Sequence, residues 1–128
     1  MNADLLIVDD DIAVCDSLKV VLELDDYEVR TCRDARRAVE MIEETPVSLA
    51  IIDSNMPNLS GARATELIRE LPSEIPIIGM SAEPGKKAEM LRAGVDRFVP
   101  KPLDIGLLTE LIRRLLKPAA SPPDQPLA

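Results

Sequence analysis

Acidic residues directly follow two of the apolar runs in the sequence. Residues 9–11 are all aspartates and follow the apolar run 5–8, and Asp53 follows the apolar run 49–52. Short apolar runs of this kind are typical of buried strands, and carboxylates at the ends of such strands can hold a cation beside a phosphate group. The spacing therefore predicts a site for cation binding and phosphate chemistry.

Two further polar side chains follow later apolar runs. Ser81 follows the fourth run and Lys101 follows the fifth, so both are expected at the same edge of a parallel sheet as Asp9, Asp10 and Asp53. Crowded carboxylates repel one another unless they take up protons or bind a divalent cation, and Mg²⁺ is the hard cation that prefers oxygen ligands. Lys101 supplies a positive charge for a phosphoryl oxygen, and Ser81 supplies a hydroxyl donor.

The elements that would position these side chains alternate along the chain. Because each apolar run is followed by a segment of helical period, the pattern predicts an α/β fold: a flavodoxin-like, doubly wound, five-stranded parallel sheet of order 2-1-3-4-5 with five helices on its two faces. The five predicted strands cover residues 5–8, 28–31, 49–52, 75–80 and 96–99.

Helical periodicity also predicts which side chains the helices bury. The predicted faces, in chain order, are Ile12, Cys15, Leu18 and Leu22; Ala38, Val39 and Ile42; Ala64, Leu67, Ile68 and Leu71; Ala88 and Leu91; and Ile105, Leu108, Ile112 and Leu115. Leu107, Leu111 and Leu116 widen the apolar stripe of the last helix, which favours an interface there and leaves a homodimer open.

Composition excludes several classes of protein. The chain has 128 residues, enough for one domain, and its net charge of -8 disfavours direct binding of nucleic acid or of an anionic membrane. With no histidine, a histidine base or ligand is excluded, and one Tyr and one Phe argue against a stacking platform for bases or flavins. The absence of a signal peptide and of an apolar stretch of roughly 18 residues predicts a soluble, cytoplasmic protein.

Cysteine spacing and the proline-rich end complete the predicted organisation. Cys15 and Cys32 have neither metal-ligand spacing nor a secreted context, so both are interpreted as reduced packing residues. Residues 1–117 are predicted to form the domain, and residues 118–128, with four prolines, are predicted to be a flexible tail or linker.

Four motifs in order resemble the receiver domain of two-component response regulators over residues 5–116. They are Ile-Val-Asp-Asp ending at Asp10, the segment 53–61, Met-Ser-Ala-Glu ending at Glu83, and Phe-Val-Pro-Lys-Pro ending at Pro102. The resemblance implies a phosphoacceptor switch that takes a phosphoryl group from a histidine kinase or phosphotransfer protein. It also implies that the protein is not an enzyme acting on other substrates and that it catalyses only its own phosphorylation and dephosphorylation.

The resemblance also assigns roles to residues of the site. Asp53 is the implied phosphoacceptor, and Asp9, Asp10, Asp53 and the backbone carbonyl of Asn55 are the implied Mg²⁺ ligands. Lys101 and Ser81 would contact the phosphoryl group. Asn55 and Glu83 would orient a water molecule and so speed the loss of the phosphoryl group. A cis Lys101-Pro102 bond is a further expectation.

In the same family, signalling passes through a surface remote from the phosphoacceptor. Ser81 would follow the phosphoryl group and Phe98 would turn inward behind it, which repacks the face formed by the fourth helix, fifth strand and fifth helix. That face would then bind a downstream protein or a tethered output domain. Gly79 stands where a larger apolar residue is expected, which predicts looser packing beneath this face.

Simpler interpretations exist for single residues and for the whole chain. Asp11 is interpreted as the N-cap of the first helix, Ser81 could cap the fourth helix, Lys101 could be a surface lysine and Phe98 could be plain core. A pseudo-receiver that binds partners without phosphorylation is the alternative function. An aspartate-nucleophile phosphatase is disfavoured because Asn55 stands where a second carboxylate is required, and a flavodoxin-type carrier because residues 9–11 would repel FMN phosphate.

Overall fold

The computed structural model describes residues 3–117. Within this range five strands alternate with five helices, in the order β1 (Asp4–Val8), α1 (Ile12–Leu24), β2 (Glu28–Cys32), α2 (Ala35–Glu44), β3 (Leu49–Asp53), α3 (Gly61–Arg69), β4 (Ile77–Ser81), α4 (Lys86–Ala93), β5 (Arg97–Pro100) and α5 (Ile105–Leu116). The strands form one parallel sheet of order β2-β1-β3-β4-β5, which confirms the predicted flavodoxin-like fold. The predicted tail, residues 118–128, lies outside the described residues.

The sheet is buried on both faces by two separate cores. Alternate strand residues point to opposite sides, so the continuous apolar runs of β1, β3 and β4 feed both cores. One core packs under α1 and α5 and includes Leu5, Ile7, Leu18 and Ile112. The other packs under α2, α3 and α4 and includes Leu6, Val8, Ile68 and Met90.

Side-chain caps begin four of the helices. Asp11, Asp34, Ser60 and Asp104 each accept a hydrogen bond from a backbone N–H in the first turn of the helix that follows, which confirms Asp11 as the N-cap of α1. Helix α4 begins after Gly85 without a side-chain cap. The alternative in which Ser81 caps this helix is therefore wrong.

The predicted helix faces need correction mainly at α4. Its buried residues are Met90 and Ala93, whereas Ala88 and Leu91 are exposed. A Cβ atom built on Gly79 would lie 2.9 Å from Met90 Cε, so the methionine fills the space above the glycine. The looser packing expected at Gly79 is wrong, because this long side chain occupies the gap.

The other differences between predicted and observed helix burial lie at helix starts. Ile12 and Ile105 are the first residues of α1 and α5, and both are exposed instead of buried as predicted. The other members of those two faces are buried or half-buried. Cys15 and Cys32 are buried free thiols, as predicted. In the described part of the chain, every helix is too short or too polar to cross a membrane.

Candidate functional site

The carboxyl ends of β1, β3, β4 and β5 bring the predicted side chains to one edge of the sheet. Asp9 follows β1 directly, Asp53 is the last residue of β3, Ser81 is the last of β4, and Lys101 follows β5. Asp53 pairs with Met80 in the sheet, which places it one residue before the level of Ser81 on the neighbouring strand. The strand order sets this convergence, since β1 and β3 lie side by side at its centre.

Lys101 joins the two buried carboxylates of the site. Its Nζ atom donates to Asp9 Oδ2 at 2.7 Å and lies 2.8 Å from Asp53 Oδ1. Asp9 and Asp53 are 0% and 5% exposed, and the lysine is half-buried. The interpretation of Lys101 as an ordinary surface lysine is therefore wrong, because its ammonium group reaches the centre of the site.

Backbone N–H groups fix the remaining oxygen atoms of both carboxylates. Asp9 Oδ1 accepts from the N–H of Asp11 at 2.9 Å, and Asp53 Oδ2 accepts from the N–H of Asn55 at 3.0 Å. Each acid therefore accepts one hydrogen bond from its own loop and faces the lysine with its other oxygen. This arrangement holds Asp53 Oδ1 beside the ammonium group of Lys101. The loop after β3 sets the orientation of the Asp53 carboxylate.

The protonation equilibria of the site follow from burial and from this ion pair. Burial raises the pKa of Asp53, Asp9 raises it further, and Lys101 and the Asn55 N–H oppose the change. For Lys101, burial lowers the pKa, but the hydrogen bonds and charges of Asp53 and Asp9 outweigh it and leave the pKa above its ordinary value. The lysine is therefore held charged, while the neighbouring Asp53 carboxylate is costly to ionise.

Three carboxylates of the site are close enough to share a cation. Asp9, Asp10 and Asp53 each offer an oxygen atom, and these atoms lie within 4.8 Å of one another. Asp10 is exposed, so the cluster opens to solvent beside two buried acids. Hard oxygen donors with an open side suit Mg²⁺, which usually keeps several of its waters. The predicted fourth ligand, the backbone carbonyl of Asn55, stays a prediction.

Ser81 has a hydroxyl neighbour that the sequence did not single out. Ser54 Oγ donates to Ser81 Oγ at 2.7 Å, and Ser81 Oγ also accepts from the N–H of Glu83 at 3.0 Å. Both serines are buried. The contact depends on the pairing of β3 with β4, which brings together residues far apart in sequence, so only the adjacency of Ser54 to Asp53 could have signalled it.

Two polar residues on neighbouring loops form a pair at the exposed rim. Asn55 Nδ2 donates to the carboxylate of Glu83, joining the loop after β3 to the loop after β4. Both residues are exposed. The structure therefore brings together the two positions predicted to tune phosphoryl loss, and it adds a direct contact between them.

Gly61 lets the start of α3 press against the phosphoacceptor candidate. A Cβ atom built on Gly61 would lie 2.0 Å from the backbone oxygen of Asp53, and the Gly61 N–H donates to the carbonyl of Ser54 at 3.0 Å. Only a residue without a side chain fits so close to another backbone.

Phe98 lies away from the carboxylates but along the same pair of strands. It stands opposite Gly79 in the β4–β5 pairing, two residues before the level of Ser81, and it is half-buried against the core under α2, α3 and α4. The Lys101-Pro102 bond is cis, as predicted. A movement of Phe98 stays a prediction.

Comparisons with known proteins agree with this geometry. The family model of the response regulator receiver domain matches residues 5–113. The response regulator MprA of Mycolicibacterium vanbaalenii is 31% identical over 119 residues, which cover 91% of this chain and 52% of that protein. The chain therefore spans about half the length of the curated relatives it matches.

Solved structures show the same architecture. A CheY-like response regulator receiver domain protein from Methanospirillum hungatei is 30% identical, with a TM-score of 0.85 over 91% of this chain and 94% of that one. The receiver domain of the sensor histidine kinase PA1611 of Pseudomonas aeruginosa is 25% identical, with a TM-score of 0.85 over 91% of this chain and 98% of that one. That structure has a magnesium ion coordinated in its active-site cleft.

Proposed function

Because this chain belongs to the response regulator receiver domain family of two-component systems, we propose that it is a phosphoacceptor switch that carries its phosphoryl group on Asp53. The observation that carries the proposal is the position of the Asp53 carboxylate at the end of β3, with Lys101 Nζ 2.8 Å away and two further acids beside it. A histidine kinase or a phosphotransfer protein is the proposed donor.

The proposed transfer replaces one bond to phosphorus with another. An Asp53 oxygen attacks the phosphorus of a phosphohistidine, the P–N bond breaks, and its electron pair returns to the imidazole, which takes a proton from solvent. The product is an acyl phosphate on Asp53 and a free histidine on the donor. Phosphoryl loss is the attack of water on the same phosphorus, with the Asp53 carboxylate leaving as phosphate is released.

Mg²⁺ is the proposed cofactor, held by Asp9, Asp10, Asp53 and the backbone carbonyl of Asn55. When bound, the cation neutralises charge on the phosphoryl oxygens and on the crowded acids. The oxygen-only donor set supports this assignment, and so does the magnesium ion in the related Pseudomonas receiver domain.

Lys101 and Ser81 are the proposed protein contacts of the transferred group. The ammonium group of Lys101 already lies 2.8 Å from Asp53 Oδ1, so it can pair with a phosphoryl oxygen as charge develops on the transferred group. Ser81 ends the strand next to Asp53 and offers one O–H donor. Lys101 is in place before the reaction, so its charge needs little reorganisation, whereas Ser81 would move toward the phosphoryl group once it is bound.

The proposed output is a change of binding at the face formed by α4, β5 and α5. Phosphorylation would draw Ser81 toward the phosphoryl group and favour an inward position of Phe98, which is half-buried now. Leu91 on α4 and Leu107 on α5 are 42% and 45% exposed, so apolar surface is available to a partner. A downstream protein or a tethered output domain is the proposed partner, and residues 118–128 are the proposed linker or tail.

A groove beside the site is the proposed docking surface for the phosphodonor protein. It has a volume of about 340 Å³ and lies between α1 and the start of α5, where Val14, Leu18 and Leu103 line it together with Lys101. The groove is continuous with the site through the lysine, so a partner seated there would bring its histidine toward Asp53. Val14 is half-buried, and Val14→Ala should slow transfer from a protein donor but not from a small phosphodonor.

Intact-mass measurement with acetyl phosphate tests the proposed function. Wild type with Mg²⁺ should gain a single phosphoryl adduct, and neither Asp53→Asn nor wild type with excess chelator should gain one. Asp16→Asn removes an exposed acid from α1 outside the site and should react like wild type. If wild type gains no adduct from donor excess or from a kinase that phosphorylates other receiver domains, the chain is a phosphorylation-independent interaction module.

A further inference from the structure

The buried hydroxyl of Ser54 lies against the hydroxyl of Ser81 beneath the phosphoacceptor candidate. Ser54 Oγ donates to Ser81 Oγ at 2.7 Å, and the two side chains belong to residues that are 4% and 2% exposed. Polar groups this deeply buried are costly unless their hydrogen bonds are satisfied. The hydrogen bond between the two serines therefore offsets part of the cost of burying both hydroxyls.

The hydrogen bonds of Ser81 use its hydroxyl oxygen as an acceptor and leave its proton without a partner among residues 3–117. A serine hydroxyl has one proton to donate and two lone pairs that accept. Ser81 Oγ accepts from Ser54 O–H and from the N–H of Glu83, so both lone pairs are used. Within residues 3–117, Ser81 Oγ takes part in these two hydrogen bonds and accepts in each. The proton of Ser81 is therefore left for a group that binds beside Asp53.

The backbone around Ser54 keeps its hydroxyl in place. The Ser54 N–H donates to the carbonyl of Met80 at 2.9 Å, and the Ser54 carbonyl accepts from the N–H of Gly61 at 3.0 Å. One bond ties the residue to β4, and the other ties it to the start of α3. Ser54 therefore presents its hydroxyl to Ser81 from a fixed position.

We propose that Ser54 is a positioning residue whose hydroxyl fills a lone pair of Ser81 and so directs the Ser81 proton to the phosphoryl oxygen on Asp53. This inference rests on the proposed function, since it assigns Ser54 a part in the same phosphorylation reaction. Ser54 does not touch the phosphoryl group. Its effect passes through Ser81, because a hydroxyl that accepts two hydrogen bonds is oriented and polarised as a donor.

A double-mutant cycle separates this role from a general structural one. The rate of Asp53 phosphorylation by acetyl phosphate with Mg²⁺ is measured for wild type, Ser54→Ala, Ser81→Ala and the double variant. We expect Ser54→Ala to lower the rate about fivefold when Ser81 is present, which is the effect of one hydrogen bond, and to leave it unchanged in the Ser81→Ala background.

Two further comparisons serve as controls. Ser48→Ala removes a half-buried hydroxyl that accepts from the N–H of Asp4 at the opposite edge of the sheet, and it should react like wild type. Ser54→Thr and Ser54→Val have nearly the same shape, and only the threonine keeps a donor. If Ser54→Ala fails to fold, the ratio of the rates of these two variants replaces it, with the threonine expected to react about fivefold faster.

Each other outcome overturns the inference. An equal loss of rate in both Ser81 backgrounds would mean that Ser54 acts through stability alone, and no change at all would mean that its hydroxyl is not used. A faster rate for Ser54→Ala would mean that Ser54 competes with the phosphoryl group for the Ser81 proton. A wild type that gains no adduct removes the proposed function and this inference together, whereas a reactive wild type with no cycle coupling removes only the inference.

Discussion

Asn55 and Glu83 hydrogen-bond to each other across the two loops that border Asp53. The Asn55 side chain donates to the Glu83 carboxylate, and both residues are exposed at the rim of the site. In the proposed loss of the phosphoryl group, water reaches the acyl phosphate on Asp53 from this exposed rim. We therefore expect the pair to hold such a water, with the amide of Asn55 fixing the direction of the Glu83 carboxylate.

We predict that breaking this pair slows the loss of the phosphoryl group. Asn55→Ala and Glu83→Ala should each lengthen the lifetime of the acyl phosphate about fivefold, the effect of one hydrogen bond. The double variant should match the single variants, because residues that act as a pair are not additive. Decay of the phosphoryl adduct by intact mass is the measurement, with Glu89→Ala on α4 as control. Unchanged decay in both single variants would contradict the prediction.

The pKa of Asp53 gives a prediction for stability against pH without metal. Burial is the main reason that the pKa lies above its ordinary value of 3.8, so ionising this carboxyl costs more in the folded than in the unfolded state. As pH rises from below 3.8 through the folded pKa, this group therefore lowers the free energy of unfolding. Asn does not ionise, so Asp53→Asn should be more stable than wild type at pH 7.

The size of this gain should depend on pH. Chemical denaturation of both proteins in chelator at several values of pH measures it, and the difference should shrink as pH falls toward the ordinary pKa of the carboxyl. Lys101 keeps its hydrogen bond to Asp9 in the variant, so no buried cation is left unpaired. A variant less stable than wild type at pH 7 would show that the pair with Lys101 outweighs burial.

Mg²⁺ should stabilise the folded protein through the acidic cluster. A ligand that binds only the folded state adds about 2.7 kcal/mol to the free energy of unfolding at one hundred times its Kd. The Tm should therefore rise when Mg²⁺ is added and fall back to the metal-free value when a chelator removes it. Asp10→Asn removes the exposed carboxylate of the cluster, and the shift in Tm should fall by more than half. Asp16→Asn should keep the full shift. An undiminished shift in Asp10→Asn would exclude Asp10 as a ligand.

The sheet and most of the site were predictable because they depend on local sequence. Apolar runs that alternate with helical segments dictate a parallel sheet, and its order places Asp9, Asp53, Ser81 and Lys101 at one edge. Contacts between loops were not predictable. Ser54 with Ser81 and Asn55 with Glu83 depend on strand register and loop path, which no periodicity encodes.

Helix α4 shows a second limit of sequence patterns. It has eight residues, and its apolar side chains lie on more than one face, so periodicity cannot decide between Leu91 and Met90 as the buried residue. The decision comes from β4, where Gly79 leaves a space that Met90 fills. Tertiary packing therefore selected the face.

Gly61 should be intolerant of any side chain. A Cβ atom at this position would lie 2.0 Å from the carbonyl oxygen of Asp53, so Gly61→Ala must displace the backbone of this proposed phosphoacceptor. We expect a loss of about 3 kcal/mol in the free energy of unfolding, as in an overpacked core. Gly106→Ala in α5 meets only an ordinary contact at 3.5 Å and should gain stability. Equal effects of the two substitutions would contradict the prediction.

Arg69, the last residue of α3, binds the segments that precede β4 and β5, at the edge of the sheet opposite the Asp53 site. Its guanidinium group donates to the carbonyls of Gly94 and Ile75 at 2.9 and 2.7 Å and to Asp96 Oδ2 at 2.9 Å. The same Asp96 oxygen accepts from the N–H of Ile77 at the start of β4. Arg69→Leu would leave two part-buried carbonyls without this donor, so we expect the free energy of unfolding to fall by about 2 kcal/mol.

The matched control for Arg69 lies on the same helix. Arg63 pairs with Glu66 at 3.0 Å on the exposed face of α3, and Arg63→Leu should change the free energy of unfolding by less than about 0.5 kcal/mol. Urea denaturation of both variants measures the difference. Because the Arg69 contacts lie at the end of the sheet remote from Asp53, Arg69→Leu should keep the phosphorylation rate of the folded protein. Equal stability losses in the two variants would show that Arg69 acts only as a surface charge.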